Sequence, residues 1–450
     1  MKNPSLLNFV LCAVTLASLN NAAPTLKSVT SSSNPALTPT GTSTDPAPAS
    51  SPTVPYASDD PNGIAWNVTT DTDPQPIRGS LGGTILGPQN IPLQQQNPDL
   101  LAPPTTDAGT VPNFKWPFSL SHNRLQTGGW ARQQNEQEMP IATSMAGVNM
   151  RLEPGAIREL HWHQTAEWAY QLSGTTQVTA VDQLGRNFVG NVNPGDLWYF
   201  PPGIPHSLQA TNATEEGSEF LLIFPSGTFN EDDTFLLTDW MAHIPKEVIA
   251  RNFQTSISAW NDIPGQELYI FPSEPPTTDV PPSDPQGQVP QPFAFNFSGV
   301  APTQYSGGTA KIADSTTFSV STEVAVAEIT VEPGAMRELH WHPSQDEWGF
   351  YLEGYGRMTL FAAEGNAMTV DFEPGDISFA PATYGHYVEN IGNTTLKFLE
   401  IFNTAVFQDV SLAQWLALTP PALVKAHLDI SDETIAHLNK TKQVVVGPSA

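Results

Sequence analysis

One pattern occurs twice in this chain, and it restricts what the chain can fold into more than any other feature. RELHWHQTAEWAYQLSG begins at Arg158, and RELHWHPSQDEWGFYLEG begins at Arg337. Three more pairs of similar blocks follow in the same order: VNPGDLWYFPPGIPHSL and FEPGDISFAPATYGHYV, FLLIF and FLEIF, and WMAHIPKEVIARNF and WLALTPPALVKAHL. Because the order and the spacing are preserved, the repeat predicts two homologous domains.

The local pattern within each copy is that of β-structure. Short segments that alternate apolar and polar residues are separated by turn sequences such as EPG, NPGD and LEG. Many short strands with Gly and Pro turns predict a sandwich or a barrel. Each copy ends in a helical pattern, and in DDTFLLTDWMAHIPKEVIARNF the acids come early and the bases late, as the helix dipole favours. The predicted fold class is therefore all-β with terminal helices, in two tandem barrels.

The other segments are distinguished by composition. Residues 1–23 contain a basic residue, an apolar run and small residues, which is typical of a secretory signal peptide. Residues 24–60 are rich in Ser, Thr and Pro and nearly lack bulky apolar residues, which predicts a disordered arm. The predicted order after the arm is an extended strap at 61–112, a first domain at 113–265, a Pro-rich linker at 266–292 and a second domain at 293–445.

Charge and cysteine content limit the partners and the compartment. The chain has 450 residues with 45 acids against 18 bases, and its formal net charge of -27 argues against nucleic acid and against an anionic membrane surface. Its one cysteine, Cys12, lies within the signal, so we expect no disulfide in the mature chain. Five N-x-S/T sequons favour a secreted, extracellular glycoprotein of eukaryotic type, and they start at Asn67, Asn212, Asn296, Asn393 and Asn439.

Six of the ten histidines fall at matched places in the two copies, and each group of three has a glutamate with it. The two candidate metal-binding sets are His161, His163, Glu167 and His206, and His340, His342, Glu347 and His386. In a strand, two histidines that are two residues apart point to the same face. Three imidazoles and one carboxylate, with no thiolate, disfavour a structural zinc site and suit Mn²⁺ or Fe²⁺. The ligand types alone do not choose between these two metals.

The spacing of the first set resembles the conserved motif of the cupin superfamily: Gly155, five residues, His161-x-His163, three residues, Glu167, six residues, Gly174. Together with SHNRL, PGAIRELHWH, EWAYQLSG, GDLWYFPPGIPHS and VSLAQWLA, it resembles the oxalate decarboxylases, bicupin enzymes that use manganese. The resemblance implies two cupin barrels, two Mn²⁺ ions per chain, dioxygen as a co-reactant, and decarboxylation of the small dicarboxylate oxalate to formate and CO₂. It also implies that the chain forms a homo-oligomer.

The same resemblance implies roles for four residues beside the ligands. Arg158 and Arg337 are the expected clamps for a substrate carboxylate, although strict strand alternation would put Glu159 on the ligand face instead, so a bend is needed and EPGA can supply it. Glu231 and Glu400 are the two expected proton donors. A slip of one residue would make Asp232 the acid in place of Glu231. Burial in FLEIF is expected to raise the pKa of Glu400. Which of the two sites turns over is left open.

Three other functions compete with this interpretation. Oxalate oxidase would use the same fold to make CO₂ and peroxide, a storage bicupin would have no enzymatic activity, and a flavonol-type dioxygenase is the least favoured. Two domains and the acid at Glu231 disfavour the oxidase. All eight ligand positions are present, which disfavours the storage protein.

Overall fold

A computed structural model describes residues 73–448, so the predicted signal, the arm and the start of the strap lie outside the described residues. The described part of the strap contains β1 (Ile77–Arg78), β2 (Leu81–Gly82), α1 (Ile91–Gln95) and α2 (Pro98–Leu101). It packs on the second barrel: the side chain of Asp107 accepts two hydrogen bonds from Thr369, at 2.9 and 2.7 Å, and Asp99 lies 2.7 Å from the Arg357 guanidinium.

The first barrel follows the strap. Its strands, together with one short strand before it, are β3 (Lys115–Pro117), β4 (Arg124–Gln126), β5 (Gly129–Gln134), β6 (Ala146–Leu152), β7 (Ile157–Trp162), β8 (Glu167–Ser173), β9 (Thr176–Val181), β10 (Asn187–Val192), β11 (Leu197–Phe200), β12 (His206–Ala210), β13 (Ser218–Phe224), β14 (Phe235–Leu236) and β15 (Ile270–Phe271). The helices α3 (Leu237–Ala242) and α4 (Lys246–Phe253) come after β14, and 3-10 turns lie at Phe118–Leu120, Glu231–Asp233 and Ile257–Trp260.

The second barrel repeats this plan. Its strands, with one short strand before it, are β16 (Ala294–Phe295), β17 (Thr303–Tyr305), β18 (Gly308–Ala313), β19 (Ala325–Val331), β20 (Met336–Trp341), β21 (Glu347–Glu353), β22 (Gly356–Phe361), β23 (Ala367–Phe372), β24 (Asp376–Ala380), β25 (Gly385–Asn390), β26 (Leu396–Phe402), β27 (Val410–Ser411) and β28 (Val445–Val446). Its helices are α5 (Leu412–Leu418), α6 (Pro421–Leu428) and α7 (Asp432–His437). Among the described residues, no helix is long and apolar enough to cross a membrane.

Each barrel consists of two antiparallel sheets, and the strand orders match. The first barrel has the orders β10-β9-β12-β7-β14 and β16-β11-β8-β13-β6-β5-β4, and the second has β23-β22-β25-β20-β27 and β17-β18-β19-β26-β21-β24-β3. The apolar residues that alternate along these strands pack inside each barrel, as the period of two predicts. The predicted all-β class with terminal helices and two tandem barrels is confirmed.

The two barrels exchange short strands. β3 precedes the first barrel in sequence but pairs with β24 of the second, and β16 precedes the second but pairs with β11 of the first. A third apolar cluster lies between them, where the buried Trp348 donates a hydrogen bond of 2.7 Å to the Gln134 side chain. Each barrel thus gains a short strand from a segment that the sequence assigns to the other domain, and these two strands connect the barrels.

A β-bulge sets the direction of the candidate arginine in each barrel. On β12, His206 pairs with His161 and Leu208 pairs with Arg158, so three steps along β7 oppose two along β12. The extra residue turns Arg158 to the face that carries His161. β20 has the same shift between Arg337 and His340. The expected bend is therefore present, but it lies within the strand and not in the EPGA turn before it.

Candidate metal centres and active site

Four side chains converge inside the first barrel. His161 lies in β7 and His163 directly follows it, Glu167 begins β8, and His206 begins β12, so the two sheets of the barrel together supply the four ligands. Their ligand atoms all lie within 4.8 Å of one another, and all four side chains are buried. We call this group site 1.

The backbone fixes which nitrogen of each ring faces the centre. In site 1 every Nδ1 lies 2.6 to 2.7 Å from a main-chain carbonyl oxygen, on Glu159, Thr165 and Ile204. A neutral ring that donates from Nδ1 leaves the lone pair on Nε2 for a metal ion. This is the orientation that metal-binding histidines commonly adopt.

The charge states of the ligands fit a divalent cation. Burial lowers the pKa of His161 well below its usual value and keeps the ring neutral. Burial alone would raise the pKa of Glu167, but His206 and His163 beside it hold that pKa well below its usual range. The Nε2 atom of His206 is buried and lies 3.3 Å from Glu167 Oε2, so both atoms face the centre of the site where a metal ion would bind. Three imidazoles and one carboxylate therefore fit Mn²⁺ or Fe²⁺.

The second barrel holds an equivalent group, site 2, formed by His340, His342, Glu347 and His386. Each ring again directs Nδ1 at a carbonyl oxygen, 2.7 to 2.9 Å away on Glu338, Gln408 and Tyr384. Burial lowers the pKa of His386, but Glu347, 3.1 Å away, raises it above its usual value. The structure thus brings together all eight predicted ligands in two groups of four.

The arginine near site 1 does not use all of its hydrogen-bond donors. Arg158 is buried, its Nη2 donates to Glu231 Oε2 at 3.1 Å, and its guanidinium carbon lies 4.1 Å from the ring centroid of Tyr269. Its Nε and Nη1 have no hydrogen-bond partner among the residues that the structure describes. A buried guanidinium with two unused N–H groups is suited to a planar carboxylate ligand.

Glu231 is the acid that reaches this arginine. It begins the 3-10 turn, as its position in an acidic stretch suggested, but its side chain points inward and is 8% exposed. The Tyr269 hydroxyl donates to Glu231 Oε2 at 2.7 Å, and burial together with Glu231 holds the pKa of that hydroxyl well above its usual value. Asp232 points outward instead and pairs with Arg124. The structure therefore places Glu231, and not Asp232, against Arg158, and the choice of Glu231 as the acid stays a prediction.

A cavity of about 260 Å³ opens beside this pair. Glu231 and Tyr269 line it on the inside, and His122, Arg124 and Arg132 line it further out. It is large enough for a molecule of a few heavy atoms, and it gives Glu231 access to solvent protons.

The arginine near site 2 has different hydrogen-bond partners. Arg337 is fully buried and donates to Glu400 from Nε at 2.9 Å and from Nη2 at 3.4 Å, and Nη2 also donates to Asp409 at 2.8 Å. Lys442 pairs with the same aspartate. Burial raises the pKa of Glu400, as expected, although Arg337 opposes that shift. Two carboxylates thus occupy Nε and Nη2 of Arg337, and only its Nη1 has no hydrogen-bond partner among the described residues.

Comparison with known proteins agrees with this geometry. A family model described as "Cupin" matches residues 120–259 and 296–436. Oxalate decarboxylase OxdC of Bacillus subtilis is 52% identical over 375 residues, which are 83% of this chain and 97% of that protein. A probable oxalate decarboxylase of Arthroderma benhamiae is 39% identical over 83% of this chain and 93% of its own length. The chain belongs to the oxalate decarboxylase family of bicupins.

Solved structures of this family superpose on both barrels. The B. subtilis enzyme at pH 4.6 has a TM-score of 0.81 and 52% identity, and the match covers 84% of this chain and 99% of that one. Another structure of the same enzyme, with the same TM-score and identity, was studied for its Mn(II) centres. The predicted cupin fold is therefore confirmed, and so is the membership in a family of oxalate decarboxylases.

Three residues at the sites of this bicupin were not predicted from sequence. Tyr269 lies in the range assigned to the linker and reaches Glu231 from a backbone with φ 59°, a conformation that no motif indicated. Asp409 reaches Arg337 from the segment before β27, where it is the one acid in VFQDVS. Trp198 donates to Glu167 Oε1 at 2.8 Å, and Ser378 stands at the matching position of β24. Of the three, only Trp198 could have been found from the sequence, by comparing the two repeats for positions near the ligands where the hydrogen-bonding side chain differs.

Proposed function

We propose that the chain converts oxalate to formate and CO₂ at site 1, with Mn²⁺ held by both sites. In this reaction the C–C bond of oxalate breaks, CO₂ leaves, and the electron pair stays on the second carbon, which takes one proton to become formate. The family, the two sets of three histidines and one glutamate, and the Mn(II) centres of the B. subtilis enzyme support this proposal. Dioxygen as a co-reactant is part of the same proposal.

The metal would supply a Lewis acid that binds and orients one carboxylate of oxalate. His161, His163, Glu167 and His206 would hold it in the first barrel. Arg158 then binds the other carboxylate through Nε and Nη1 and stabilises its negative charge. The apolar side chains around the site keep this charge interaction strong because they exclude water.

Glu231 donates the proton to the carbon that loses CO₂. Its hydrogen bond with Arg158 brings the acid to the side of the substrate that the arginine binds, and Tyr269 fixes the orientation of the carboxyl group. Glu231 lines the cavity, so solvent in the cavity can give Glu231 a new proton after each turnover. A positioned general acid is needed here because a carbanion equivalent must be protonated before it reacts otherwise.

The observation that carries the assignment to site 1 is the difference in arginine partners. Arg158 leaves both Nε and Nη1 without a partner among the described residues, whereas Arg337 leaves only Nη1 and holds Glu400 and Asp409 with Nε and Nη2. Opening site 2 for oxalate would require breaking a fully buried ion pair, which costs several kcal/mol. Site 2 therefore serves as a metal centre that does not bind substrate through its arginine.

The oxidase remains the alternative to test, because loss of proton delivery at site 1 would favour peroxide. The experiment measures formate, CO₂ and peroxide from oxalate at acidic pH with manganese-loaded protein. Formate as the main product supports the proposal, and peroxide as the main product contradicts it. Metal analysis of the same sample tests the storage alternative, which expects no bound metal after mild purification.

We also propose that the protein is secreted, as a glycoprotein, and forms a homo-oligomer. Asn212 and Asn393 support secretion because both sequons are exposed in matching turns between barrel strands. The terminal helices support self-association because Trp240 and Trp415, at matched positions, are about half exposed. Recovery from the medium of a eukaryotic host, with a mass lowered by glycosidase, tests the first proposal. Light scattering of the purified protein tests the second.

A further inference from the structure

The segment that carries Glu231, residues 227–235, is attached to the barrel in two separate regions. Its base is buried: Phe229 stacks on Phe224 with ring centroids 3.5 Å apart, and the Phe229 carbonyl accepts from the Asn135 side chain at 3.1 Å. Its tip, residues 230–233, is a single 3-10 turn that reaches past this anchor. The tip therefore depends on contacts of its own to stay against site 1.

Gln133 on β5 makes the first of these contacts. Its Oε1 accepts from the Glu231 N–H at 2.9 Å, and its Nε2 donates to the Asn230 side-chain oxygen at 3.1 Å. The same oxygen of Asn230 accepts from the Asp232 N–H at 3.0 Å and so caps the turn. One amide side chain thus fixes the backbone of the catalytic acid and the cap of the turn that presents it.

Arg124 on β4 makes the second contact. Its Nη1 pairs with Asp232 at 2.9 Å, its Nη2 pairs with Glu267, and its guanidinium carbon lies 3.6 Å from the ring centroid of Tyr269. Tyr269 in turn donates to Glu231. Arg124 therefore links the tip to the neighbouring chain segment that orients the same acid.

We propose that Gln133 and Arg124 are positioning residues, which keep the tip closed and so set how often Glu231 lies against Arg158. The inference rests on the proton-donor role proposed above for Glu231. Neither residue is a metal ligand or a substrate clamp. Arg124 and Asp232 are partly to largely exposed, so their ion pair is weak and easily broken and re-formed. Such contacts suit a segment that must open for oxalate and close for proton transfer.

The test uses manganese-loaded full-length protein with Arg124→Gln, Asp232→Asn and Gln133→Leu. Hydrogen exchange of the amides of residues 230–234 measures opening of the tip. We expect exchange to rise about threefold for each ion-pair variant and on the order of tenfold for Gln133→Leu, which removes two hydrogen bonds. Lys425→Gln is the matched control, because it breaks an exposed pair with Asp432 in the second barrel and should leave this exchange unchanged.

A purely structural role would not change the chemistry, so product analysis is the second readout. We expect kcat for formate to fall and the share of peroxide to rise in the order in which exchange rises, with KM within about twofold, since delayed protonation favours the oxidase outcome. Arg124→Lys, which keeps the charge, should restore most of the product ratio.

Two results would overturn the inference. One is exchange at residues 230–234 that matches the Lys425→Gln control in all three variants, and the other is faster exchange with an unchanged kcat and product ratio. If Gln133→Leu does not fold, the two variants at the exposed ion pair decide the question. Failure of the proton-donor role is seen separately: Glu231→Gln would then still make formate, while the exchange data would still report on closure of the tip.

Discussion

The two barrels hold matching metal ligands and matching arginines, Arg158 and Arg337, but the carboxylates that contact these arginines differ. In the first barrel Leu222 packs at the position where the second barrel has Glu400, and the segment after β13 brings Glu231 in from outside. In the second, the shorter segment after β26 is bound into the site, because the Gln408 carbonyl lies 2.8 Å from His342 Nδ1 and Asp409 pairs with Arg337. The duplicated metal site therefore has an arginine with a single carboxylate partner in one copy and an arginine held by two carboxylates in the other.

The difference shows that ligands alone do not define an active site. Both sets of ligands can hold the same ion, but substrate also needs an unsatisfied cation and a nearby acid that can move. Arg158 and Glu231 meet these needs because their contact is a single hydrogen bond beside a cavity. Arg337 meets them less well, because its Nε and Nη2 are held in buried ion pairs and only its Nη1 has no partner among the described residues.

The largest effect should come from removing one ligand in each barrel. His206→Ala should abolish formate production and remove one manganese per chain, because two imidazoles and a carboxylate hold the ion less tightly. His386→Ala should remove the other manganese and leave measurable formate production. Metal content and turnover of the two variants, measured side by side, check this. Equal loss of activity in both would mean that the barrels do not differ as described.

Breaking the buried ion pair in the second barrel should cost stability. Arg337→Gln leaves Glu400 buried without a cation, and we expect a loss of about 3–5 kcal/mol in the free energy of unfolding of that barrel. Arg158→Gln should cost much less, because Glu231 can turn toward the cavity and keeps Tyr269 as a partner. Denaturant unfolding of both variants measures the difference. The comparison fails if Arg158→Gln is the more destabilised protein.

The same pair of variants should show the opposite order in activity. Arg158→Gln removes the free donors that bind a substrate carboxylate, and we expect formate production to fall about a hundredfold. Arg337→Gln, assayed at a temperature where it is folded, should retain activity within about tenfold, because its donors do not contact substrate. Initial rates at saturating oxalate decide between these expectations. A larger loss of activity for Arg337→Gln would contradict the assignment.

A smaller effect concerns pH and the outer faces of the barrels. Gln177 and Asn191 form a neutral contact on the first barrel, where the second has Arg357 and Asp371 with Asp99 from the strap. Burial and Asp371 raise the pKa of Asp99 to about 7, although Arg357 and Arg78 oppose the shift.

Because this pKa is raised in the folded state, the contribution of Asp99 to stability is full below its ordinary pKa and is lost as the pH rises toward 7. The asparagine of Asp99→Asn does not titrate, so this variant lacks the loss of stability that the parent chain shows with rising pH. The melting temperature of the variant minus that of the parent chain should therefore increase from pH 4 to pH 8. Thermal melts across this range check the trend. A constant difference across the range would show that Asp99 does not titrate with a raised pKa.

The repeat allowed much of this to be predicted. Both ligand sets and the barrel class follow from motifs whose spacing is tied to strand geometry, whereas the roles of Arg158 and Glu231 were implied only by the family resemblance. The sequence predicted that a bend is needed before His161, but not that it is a bulge between Arg158 and His161. The position of the bulge depends on how β7 pairs with β12. Tyr269 and Asp409 could not be foreseen, because they arrive from segments without a motif and meet their partners only through the tertiary fold.

The exchange of β3 and β16 between the two barrels could not be predicted from the sequence either. Lys115 lies in the range predicted for the first domain, but its strand pairs with β24 of the second. Short strands at domain edges carry little pattern, and which sheet they join depends on the packing of the whole molecule.

The central claim is that the first barrel turns over and the second does not. Formate production of manganese-loaded Glu231→Gln and Glu400→Gln at acidic pH tests it most directly, since each variant removes one candidate proton donor and keeps its shape. We expect Glu231→Gln to lose on the order of 10² to 10⁴ in kcat with both manganese ions retained, and Glu400→Gln to stay within about tenfold of the parent chain. The reverse order, with Glu400→Gln inactive and Glu231→Gln active, would contradict the account.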